Sequence, residues 1–369
     1  MKVFFYVQHL LGIGHLKRAA TLAQALREAG FQVALVSGGA PVSGIAVDVQ
    51  LAPASAADMT FKTLLDESGR PVDEAWKRSR AAALLDVWRA LRAEVLLIEL
   101  FPFGRRQMRF ELMPLLEDAR RLTPRPLVVC SVRDLLQPRP DREQETADLV
   151  LRFFDRTLVH GDPRLASFER TFSAARALEG RLHYTGYVVA PAASPAAAGA
   201  EVVVSAGGGA VGKWLLETAI AAREQTLLRG STWRLLAGIN CSDADFRDLG
   251  RQAKPGVVLE KSRADFQQLL ASCALSVSQA GYNTVAETLQ ARVRAVLVPF
   301  AAGGETEQSL RAELLAARGA AVVLPEAALT PEALAHAVNR AARAPRPAAD
   351  LVDLRGAQRS AELLREWVA

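Results

Sequence analysis

The chain opens with the run Val3-Phe4-Phe5-Tyr6-Val7, a turn that contains Gly12 and Gly14, and a second apolar run from Phe31 to Val36. Between the turn and the second run, apolar residues recur at the spacing of a helix, at Leu16, Ala19, Ala20, Ala23 and Leu26. Gly30 follows them, and a glycine is suited to end a helix. Runs that are apolar at every position are typical of parallel strands covered on both faces. The opening therefore predicts a strand, a helix and a second strand parallel to the first.

The same alternation of strand and helix continues along the rest of the chain. Further buried strands are predicted at residues 95–100, 127–131 and 157–160, and the interval 60–92 has a mostly helical pattern that Gly69-Arg70-Pro71 interrupts. The pattern restarts after a segment rich in alanine and proline, with strands at 201–205, 233–237, 257–260, 274–278, 295–299 and 321–324. Because helices between strands imply parallel sheets, we predict an α/β protein with two doubly wound parallel-sheet (Rossmann-like) domains.

The domain boundaries follow from this pattern. A chain of 369 residues is too long for one typical core and suits two domains of ordinary size. We expect an N-terminal domain over residues 1–189, a linker over 190–200, a C-terminal domain over 201–345, and a final segment, 346–369, whose helix packs back toward the N-terminal domain. Within the C-terminal domain, Thr330 and Pro331 are predicted to be the N-cap and the first residue of a helix.

The composition argues against several classes of protein. The net charge is +5, but no run of lysine and arginine with interleaved aromatic residues occurs, so nucleic acid is not an expected partner. The three cysteines form no Cys-x-x-Cys pair and the five histidines show no metal-ligand spacing, so we expect buried thiols in a reducing compartment and no metal site. No apolar stretch approaches the roughly 18–20 residues that span a bilayer, and the first apolar run is too short for a signal peptide. We therefore expect a cytoplasmic protein, and we leave open peripheral contact with the cytoplasmic face of a membrane.

The first glycine-rich turn, Leu11-Gly12-Ile13-Gly14-His15, half-matches a dinucleotide-binding fingerprint. Lys17 stands at the third glycine position, and no acid follows the strand that ends at Val36, so an NAD site is not expected. His15 would lie in the first turn of a helix, outside the carboxyl end of a parallel strand, where ligands bind in such sheets. An imidazole there can take a proton from a hydroxyl group. Packing of the helix start is the alternative role for His15, and both interpretations stay open.

The second turn runs from Ala206 to Gly212 and contains Gly207, Gly208 and Gly209. A glycine-rich turn between a strand and a helix lets backbone N–H groups approach an anion, and the helix N-terminus adds partial positive charge. The Gly-Lys-Ser/Thr ending of a Walker loop is absent. We therefore predict a phosphate or diphosphate site here, with a hinge turn beside the linker as the alternative.

The stretch from Ser278 to Ala312 contains two strand ends, each followed by a small polar turn and a helix start. If the two strands are parallel neighbours, both turns lie at the same edge of the sheet. The candidate ligands are donors for phosphate at Gly281, Asn283 and Thr284, an acceptor for a ribose diol at Glu287, and groups for sugar hydroxyls at Glu307 and Gln308. Together they are a plausible set for a nucleotide-sugar, and capping of the two helices is the alternative.

The same stretch resembles the donor-binding signature of glycosyltransferase family 28 and its relatives, which have the GT-B fold. It is close to the Gly-x-Asn-Thr-x-x-Glu form of a bacterial group known as predicted glycosyltransferases. The turns at 11–15 and 206–212 occupy the places of the family's Gly-x-Gly-His and diphosphate loops, and the segments 99–106 and 131–134 resemble blocks of the bacterial group, so the resemblance covers nearly the whole chain. It implies two domains that face a cleft, with Glu287 as the ribose ligand, Glu307 and Gln308 at the donor sugar, and His15 at the place of the base or of an essential polar group.

The resemblance leaves both substrates open. The loop before Glu307 is longer than in the lipid-II-forming member of the family and contains Gly303-Gly304, so the donor sugar of that member cannot be transferred. The candidates for binding the acceptor are Gly14, Arg105, Arg106 and Arg133. The arginines that follow the strand at 95–100 could face a phosphorylated or lipid acceptor, or they could form a solvated helix face.

We therefore predict an inverting, metal-independent glycosyltransferase of the hexosyltransferase class that needs no cofactor. The co-substrate would be a nucleotide-diphosphate-sugar, with a UDP-sugar expected, and the acceptor hydroxyl would belong to a sugar, a lipid-linked compound or a small molecule. A role in cell-envelope or polysaccharide biosynthesis fits this activity. Two alternatives stay open, a nucleotide-sugar 2-epimerase of the same fold and a non-catalytic nucleotide-sugar binding protein.

Overall fold

A computed structural model describes residues 1–58, 61–192, 199–207, 212–238 and 241–368 of the chain. The chain forms two compact units. Unit 1 comprises Met1–Val188 together with Asp353–Ala369, and unit 2 comprises Val189–Val352. Each unit is built on one main parallel sheet with helices between its strands, so the predicted α/β fold class, with two doubly wound parallel-sheet domains, is confirmed. Residues 193–198 of the predicted linker lie outside the described residues.

The described residues of unit 1 form nine strands in chain order, seven of them in the main sheet. They are β1 (Lys2–Val7), β2 (Gln32–Ser37), β3 (Val49–Gln50), β4 (Ser55–Ala56), β5 (Leu64–Leu65), β6 (Val95–Glu99), β7 (Leu127–Arg133), β8 (Arg156–His160) and β9 (Leu182–Tyr184). The main sheet has the order β3-β2-β1-β6-β7-β8-β9, and every neighbouring pair in it is parallel. Along β1, Phe4 and Tyr6 pack into the core on one face, while Val3, Phe5 and Val7 pack into the core on the other. The uninterrupted apolar run is explained by this burial on both faces.

Among the described residues of unit 1, five α-helices accompany the sheet. They are α1 (Gly14–Glu28), α2 (Glu74–Leu91), α3 (Arg109–Arg121), α4 (Glu143–Phe153) and, at the end of the chain, α11 (Gly356–Val368). The final helix packs against α1, where Leu363 and Leu364 share a core with Leu22 and Leu26. The C-terminal helix is therefore a structural part of unit 1.

The interval 60–92 departs from the predicted elements. The sequence predicts a mostly helical interval, but α2 begins only at Glu74, and β4 and β5 form an antiparallel hairpin before it. The carboxylate of Asp66 accepts a hydrogen bond from the backbone N–H of Arg70 at 3.0 Å, which folds this stretch into a turn. Asp73 then caps α2 by accepting a backbone N–H of its first turn at 2.7 Å. The helical prediction was wrong before residue 74 because local side-chain-to-backbone bonds compete with the helix.

In unit 2, the part of the chain that the structure describes forms six strands, which belong to one sheet. They are β10 (Val202–Ser205), β11 (Trp233–Leu236), β12 (Val257–Glu260), β13 (Leu275–Ser278), β14 (Arg294–Leu297) and β15 (Val322–Val323), in the order β12-β11-β10-β13-β14-β15. Every neighbouring pair is parallel.

Six α-helices accompany the sheet in the described ranges of unit 2. They are α5 (Lys213–Ala222), α6 (Asp243–Gln252), α7 (Phe266–Ser272), α8 (Tyr282–Gln290), α9 (Glu307–Ala316) and α10 (Pro331–Arg343). The Thr330 hydroxyl caps α10 by accepting a backbone N–H at 3.1 Å, which confirms the predicted start of that helix. Among the described residues of both units, no helix combines the length and the apolarity that crossing a bilayer requires.

The strand order of each sheet reverses at one point. In unit 1 the chain moves outward from β1 to β2 and β3, then returns to place β6 on the other side of β1. In unit 2 it moves from β10 to β11 and β12, then returns to place β13 beside β10. In open parallel sheets, ligands bind outside the carboxyl ends of the strands at such a reversal. The segments that follow β1, β6, β10 and β13 are therefore the places to look for a site.

Candidate functional site

His15 and Glu99 meet at the reversal point of unit 1. His15 is the second residue of α1, the helix that follows β1, and Glu99 is the last residue of the neighbouring strand β6. The Nδ1 atom of His15 lies 2.9 Å from Oε1 of Glu99, whose side chain is fully buried. Arg18, one turn further along α1, forms an ion pair with the same carboxylate. The two strand ends thus bring together a histidine, a carboxylate and an arginine.

Burial, together with the positive charges nearby, holds the histidine neutral. Burial alone would raise the pKa of Glu99, but the charge of Arg18 and hydrogen bonds from His15 and Ser131 lower it below its usual value. Burial, followed by the charge of Arg105, lowers the pKa of His15 to about 3. An ionised carboxylate can only accept hydrogen bonds, so we assign the single ring proton of His15 to Nδ1. Arg18, whose Nη2 atom also lies 3.1 Å from Nδ1, then donates to the carboxylate of Glu99. The Nε2 atom then has a free lone pair and can accept a proton.

Glu99 is the residue of this site whose role the sequence reasoning missed. It ends a strand that is otherwise apolar, Val95-Leu96-Leu97-Ile98. A single acid at the carboxyl end of a buried strand was the available signal. Its partner could not be named, because the pairing of β6 with β1 joins residues 84 positions apart.

The candidates for acceptor binding lie in different surroundings. Arg105 has a left-handed backbone conformation (φ 59°), and its Nε donates to the backbone oxygen of Gln8 at 2.7 Å. Its pKa is lowered to about 10 by burial and then by the charge of Arg133, the last residue of β7. By contrast, Arg106 forms an ion pair with Glu145 at 2.6 Å. Gly14 is the first residue of α1. Arg105 therefore lies within the electrostatic surroundings of His15, whereas Arg106 has a carboxylate partner on the surface.

The glycine-rich turn after β10 is described only in part. Gly207 has a left-handed backbone conformation (φ 72°), and Gly208 and Gly209 lie outside the described residues. At Gly212 a Cβ atom would come within 2.3 Å of the Cβ of Ala206, so glycine is required there for close packing. Lys213 anchors the start of α5 through ion pairs with carboxylates of α6 at 3.0 and 2.8 Å.

The turn after β13 leads into α8, on the neighbour of β10 in the sheet. The N-cap of α8 is Gly281, which has no side chain that could accept the first N–H groups of the helix. A Cβ atom added at Gly281 would meet nothing within 4 Å. Asn283 and Thr284 belong to the first turn of α8, and Glu287 lies one turn further on with 5% exposure. The start of α8 thus combines N–H donors with open space, as an anion site requires.

The turn after β14 is tied to the turn after β13. Glu307 begins α9, and its carboxylate lies 2.7 Å from Nη2 of Arg311, with both side chains buried. Nη1 of Arg311 donates to the backbone oxygen of Ala280 at 2.9 Å. The side-chain oxygen of Gln308 accepts the backbone N–H of Phe300 at 3.2 Å, which leaves its amide NH2 as the group that can donate to a ligand. The structure therefore places these two turns side by side and gives Glu307 a role inside the protein.

Comparisons with solved structures identify the fold. Over its full length the chain is similar to the solved structure of the glycotransferase of kitacinnamycin, with a TM-score of 0.66, 17% identity, and 100% of this chain and 99% of that chain covered. It is also similar to the UDP-GlcNAc 2-epimerase of Methanocaldococcus jannaschii, with a TM-score of 0.61, 10% identity, and coverage of 99% and 100%. The fold is that of the GT-B glycosyltransferases, and the second likeness shows that an epimerase has it as well.

The match to a protein family lies in the second half of the chain. Residues 253–352 match the glycosyltransferase family 28 C-terminal domain. A curated relative, the UDP-N-acetylglucosamine–N-acetylmuramyl-(pentapeptide) pyrophosphoryl-undecaprenol N-acetylglucosamine transferase of Nitrosospira multiformis, is 44% identical over 62 residues. The aligned stretch is 17% of this chain and 17% of that enzyme. The resemblance to glycosyltransferase family 28 is thus confirmed through its C-terminal domain.

Proposed function

We propose that this protein transfers a sugar from a nucleotide-diphosphate-sugar to a hydroxyl group of an acceptor, with a UDP-sugar as the expected donor. The observation that carries the proposal is the family 28 C-terminal domain at residues 253–352. This region contains both polar turns of the candidate donor site, at 281–287 and 307–308. The name of the curated relative described above begins with UDP-N-acetylglucosamine, which supports a UDP-sugar as the donor.

Unit 2 would hold the donor. The first-turn N–H groups of α8, beyond the bare N-cap Gly281, would bind the diphosphate together with the turn at Gly207. Asn283 and Thr284 would add side-chain donors, and the carboxylate of Glu287 would accept hydrogen bonds from the ribose. Gln308 would donate its amide NH2 to a sugar hydroxyl. We assign Glu307 to positioning, since its ion pair with Arg311 fixes the start of α9.

Unit 1 would supply the base. Nε2 of His15 takes the proton of the acceptor hydroxyl, and Glu99 stabilises the resulting imidazolium through the hydrogen bond at Nδ1. The hydroxyl oxygen forms a bond to the anomeric carbon while the bond from that carbon to the diphosphate oxygen breaks. A single displacement of this kind inverts the anomeric configuration. The charge that develops on the leaving diphosphate is met by the backbone N–H groups of unit 2, so the proposed reaction needs neither a cofactor nor a divalent metal.

The acceptor is the less defined substrate. Arg105 in the surroundings of His15 favours an acceptor that carries a negative charge. The curated relative is named for a pyrophosphoryl-undecaprenol compound, so lipid-linked diphosphates are the first acceptors to test. A cytoplasmic protein in peripheral contact with a membrane, with a role in cell-envelope or polysaccharide biosynthesis, would fit such an acceptor.

The experiment has two stages. Thermal-shift measurements with UDP-, GDP- and dTDP-sugars identify the donor, because a ligand that binds only the folded state raises the melting temperature. The purified full chain is then incubated with that donor and a panel of acceptors, with and without EDTA, and the anomeric configuration of the product is determined by NMR. We expect an inverted product whose yield EDTA leaves unchanged. A retained configuration would overturn the single-displacement mechanism.

A nucleotide-sugar 2-epimerase is the second candidate, because such an enzyme shares the fold over 99% of this chain. Incubation with donor alone separates the two. A 2-epimer that accumulates without acceptor would favour the epimerase, while donor that stays unchanged until an acceptor is added supports transfer. Donor binding without transfer, hydrolysis or isomerisation across the whole panel would indicate a non-catalytic binding protein.

A further inference from the structure

A line of buried hydrogen bonds extends from Glu99, on the side opposite to His15, across the carboxyl ends of the next strands. The hydroxyl oxygen of Ser131 on β7 lies 2.6 Å from Oε2 of Glu99 and 2.9 Å from Nε2 of His160, the last residue of β8. Nδ1 of His160 lies 2.9 Å from the hydroxyl oxygen of Thr185, just beyond β9. Each of these residues is at most 1% exposed. No residue of the line beyond Glu99 takes part in the proposed reaction.

The direction of every hydrogen bond in the line can be assigned. Glu99 is ionised, so it accepts the hydroxyl proton of Ser131, and their short separation is typical of a bond to a charged oxygen. Ser131 has no second proton, so it accepts from Nε2–H of His160. Burial, followed by the charge of Arg18, lowers the pKa of His160 to about 3. Its imidazole is therefore neutral, and with the proton on Nε2 its Nδ1 atom is an acceptor. The Thr185 hydroxyl, which lies 2.9 Å from both this atom and the backbone oxygen of Gly186, is the donor beside it.

This order has a consequence for His15. All the dipoles of the line point toward Oε2 of Glu99, so the carboxylate is held on that side and keeps Oε1 directed at Nδ1–H of His15. If the carboxylate rotated away, the imidazole would lose the hydrogen bond that fixes both its ring orientation and its tautomer. The line also contributes to the stabilisation of the negative charge of Glu99, which makes Glu99 a weaker partner for a protonated His15.

We propose that Ser131 and His160 are positioning residues, which act through Glu99 to fix the ring orientation and tautomer of His15. The proposal rests on the proposed function only in taking His15 as the base. The charged groups that act on His15 are Arg105, Glu99 and Arg18, and those that act on His160 are Arg18 and Glu99. Changes to Ser131 leave these charged side chains in place, so they isolate the effect of the line.

The first test does not depend on catalysis. Histidine 15N NMR spectra of the full chain, recorded from pH 6.5 down to the lowest pH at which it stays folded, report the tautomer and the pKa of His15 in the wild type and in Ser131→Ala. We expect neutral His15 with the proton on Nδ1 in the wild type. In Ser131→Ala we expect a pKa at least one unit higher, because Glu99 loses a donor and attracts the imidazolium more strongly. Ser37→Ala is the matched control, since Ser37 is also a buried serine near a strand end of the same sheet. Identical His15 signals in folded Ser131→Ala and wild type would overturn the proposal, whatever the protein catalyses.

The second test is kinetic. We expect Ser131→Ala and His160→Leu to lower kcat about tenfold, with the KM for the donor unchanged because the donor site is in unit 2. His160→Gln keeps an N–H near the position of Nε2, so it should retain most of the wild-type kcat. If His160→Leu does not fold, the kcat of His160→Gln still tests the role of this N–H. Residues that act through Glu99 lose their effect once Glu99 is neutral, so Ser131→Ala should change kcat less than twofold in a Glu99→Gln background. An undiminished tenfold loss in that background would overturn the proposal.

Discussion

The carboxylate of Glu307 and the guanidinium of Arg311 form a buried ion pair one helical turn apart, 2.7 Å between Oε1 and Nη2. Arg311 also donates to the backbone oxygen of Ala280. This relationship joins the start of α9 to the turn that precedes α8. Glu307, which the sequence analysis places at the donor sugar, therefore also stabilises the contact between the two turns of the candidate donor site through Arg311.

Glu307→Gln should destabilise the protein. The change leaves the charge of Arg311 in a buried position, and removing one partner of a buried ion pair costs about 3–5 kcal/mol. Urea unfolding measures the free energy of unfolding, and Glu313→Gln on the exposed side of the same helix is the control. An unchanged stability together with a raised KM for the donor would instead assign Glu307 to the sugar alone.

His15→Ala should lower kcat by about 10²–10⁴-fold, which is the usual contribution of a general base. Because donor binding is assigned to unit 2, the thermal shift produced by the nucleotide-sugar should stay as in the wild type. His336→Ala removes an exposed histidine of α10 and is the matched control. Turnover of His15→Ala close to that of the wild type would contradict the role of base.

The stability of the protein should fall as the pH is lowered from 6.5 toward 3. The pKa of His15 and that of His160 are each about 3 in the folded state, against about 6.5 in an unfolded chain. Between these values the unfolded chain binds more protons, so acid favours unfolding. Each histidine should contribute a loss of about 2 kcal/mol between pH 6.5 and 5. Urea unfolding at both pH values measures the loss, and a smaller pH dependence in His160→Gln would confirm its source.

Gly281→Ala should weaken donor binding without unfolding the protein. Gly281 has an ordinary negative φ of −64°, and an added Cβ would meet no protein atom within 4 Å. The methyl group would occupy the space in front of the first-turn N–H groups of α8, so we expect the Kd for the nucleotide-sugar to rise about tenfold. Gly230→Ala adds a methyl group at an exposed glycine with equal space and is the control. An unchanged Kd in Gly281→Ala would place the diphosphate elsewhere.

The elements that sequence predicted best are those set by local pattern. The apolar run at Val3–Val7 became a strand buried on both faces, and Thr330 capped the helix that Pro331 begins. Within the interval 60–92, the predicted helix forms from Glu74 onward. The helical prediction was wrong before it, because hydrogen bonds of the Asp66 side chain favour a turn over a helix. In each case residues within a few positions decided the outcome.

The contacts that could not be predicted from the sequence depend on strand order. Glu99 contacts His15 only because the chain returns to put β6 beside β1, and Ser131 and His160 reach Glu99 only through the order of the next two strands. No local pattern encodes that order. The same limit applies to the hydrogen bond from Arg311 to Ala280, which joins the turns that follow two neighbouring strands.

The two places where the chain passes between units lie next to each other in unit 1. The backbone N–H of Tyr187 donates to the oxygen of Asp353 at 2.7 Å, and Gly356 donates back to Tyr187 at 3.0 Å. Unit 2 is thus an insertion whose two ends leave and rejoin its host at one spot. A direct junction between residues 188 and 353 needs no long linker, so evolution or an engineer could exchange the whole of unit 2 for another domain while the fold that carries His15 and Glu99 stays intact.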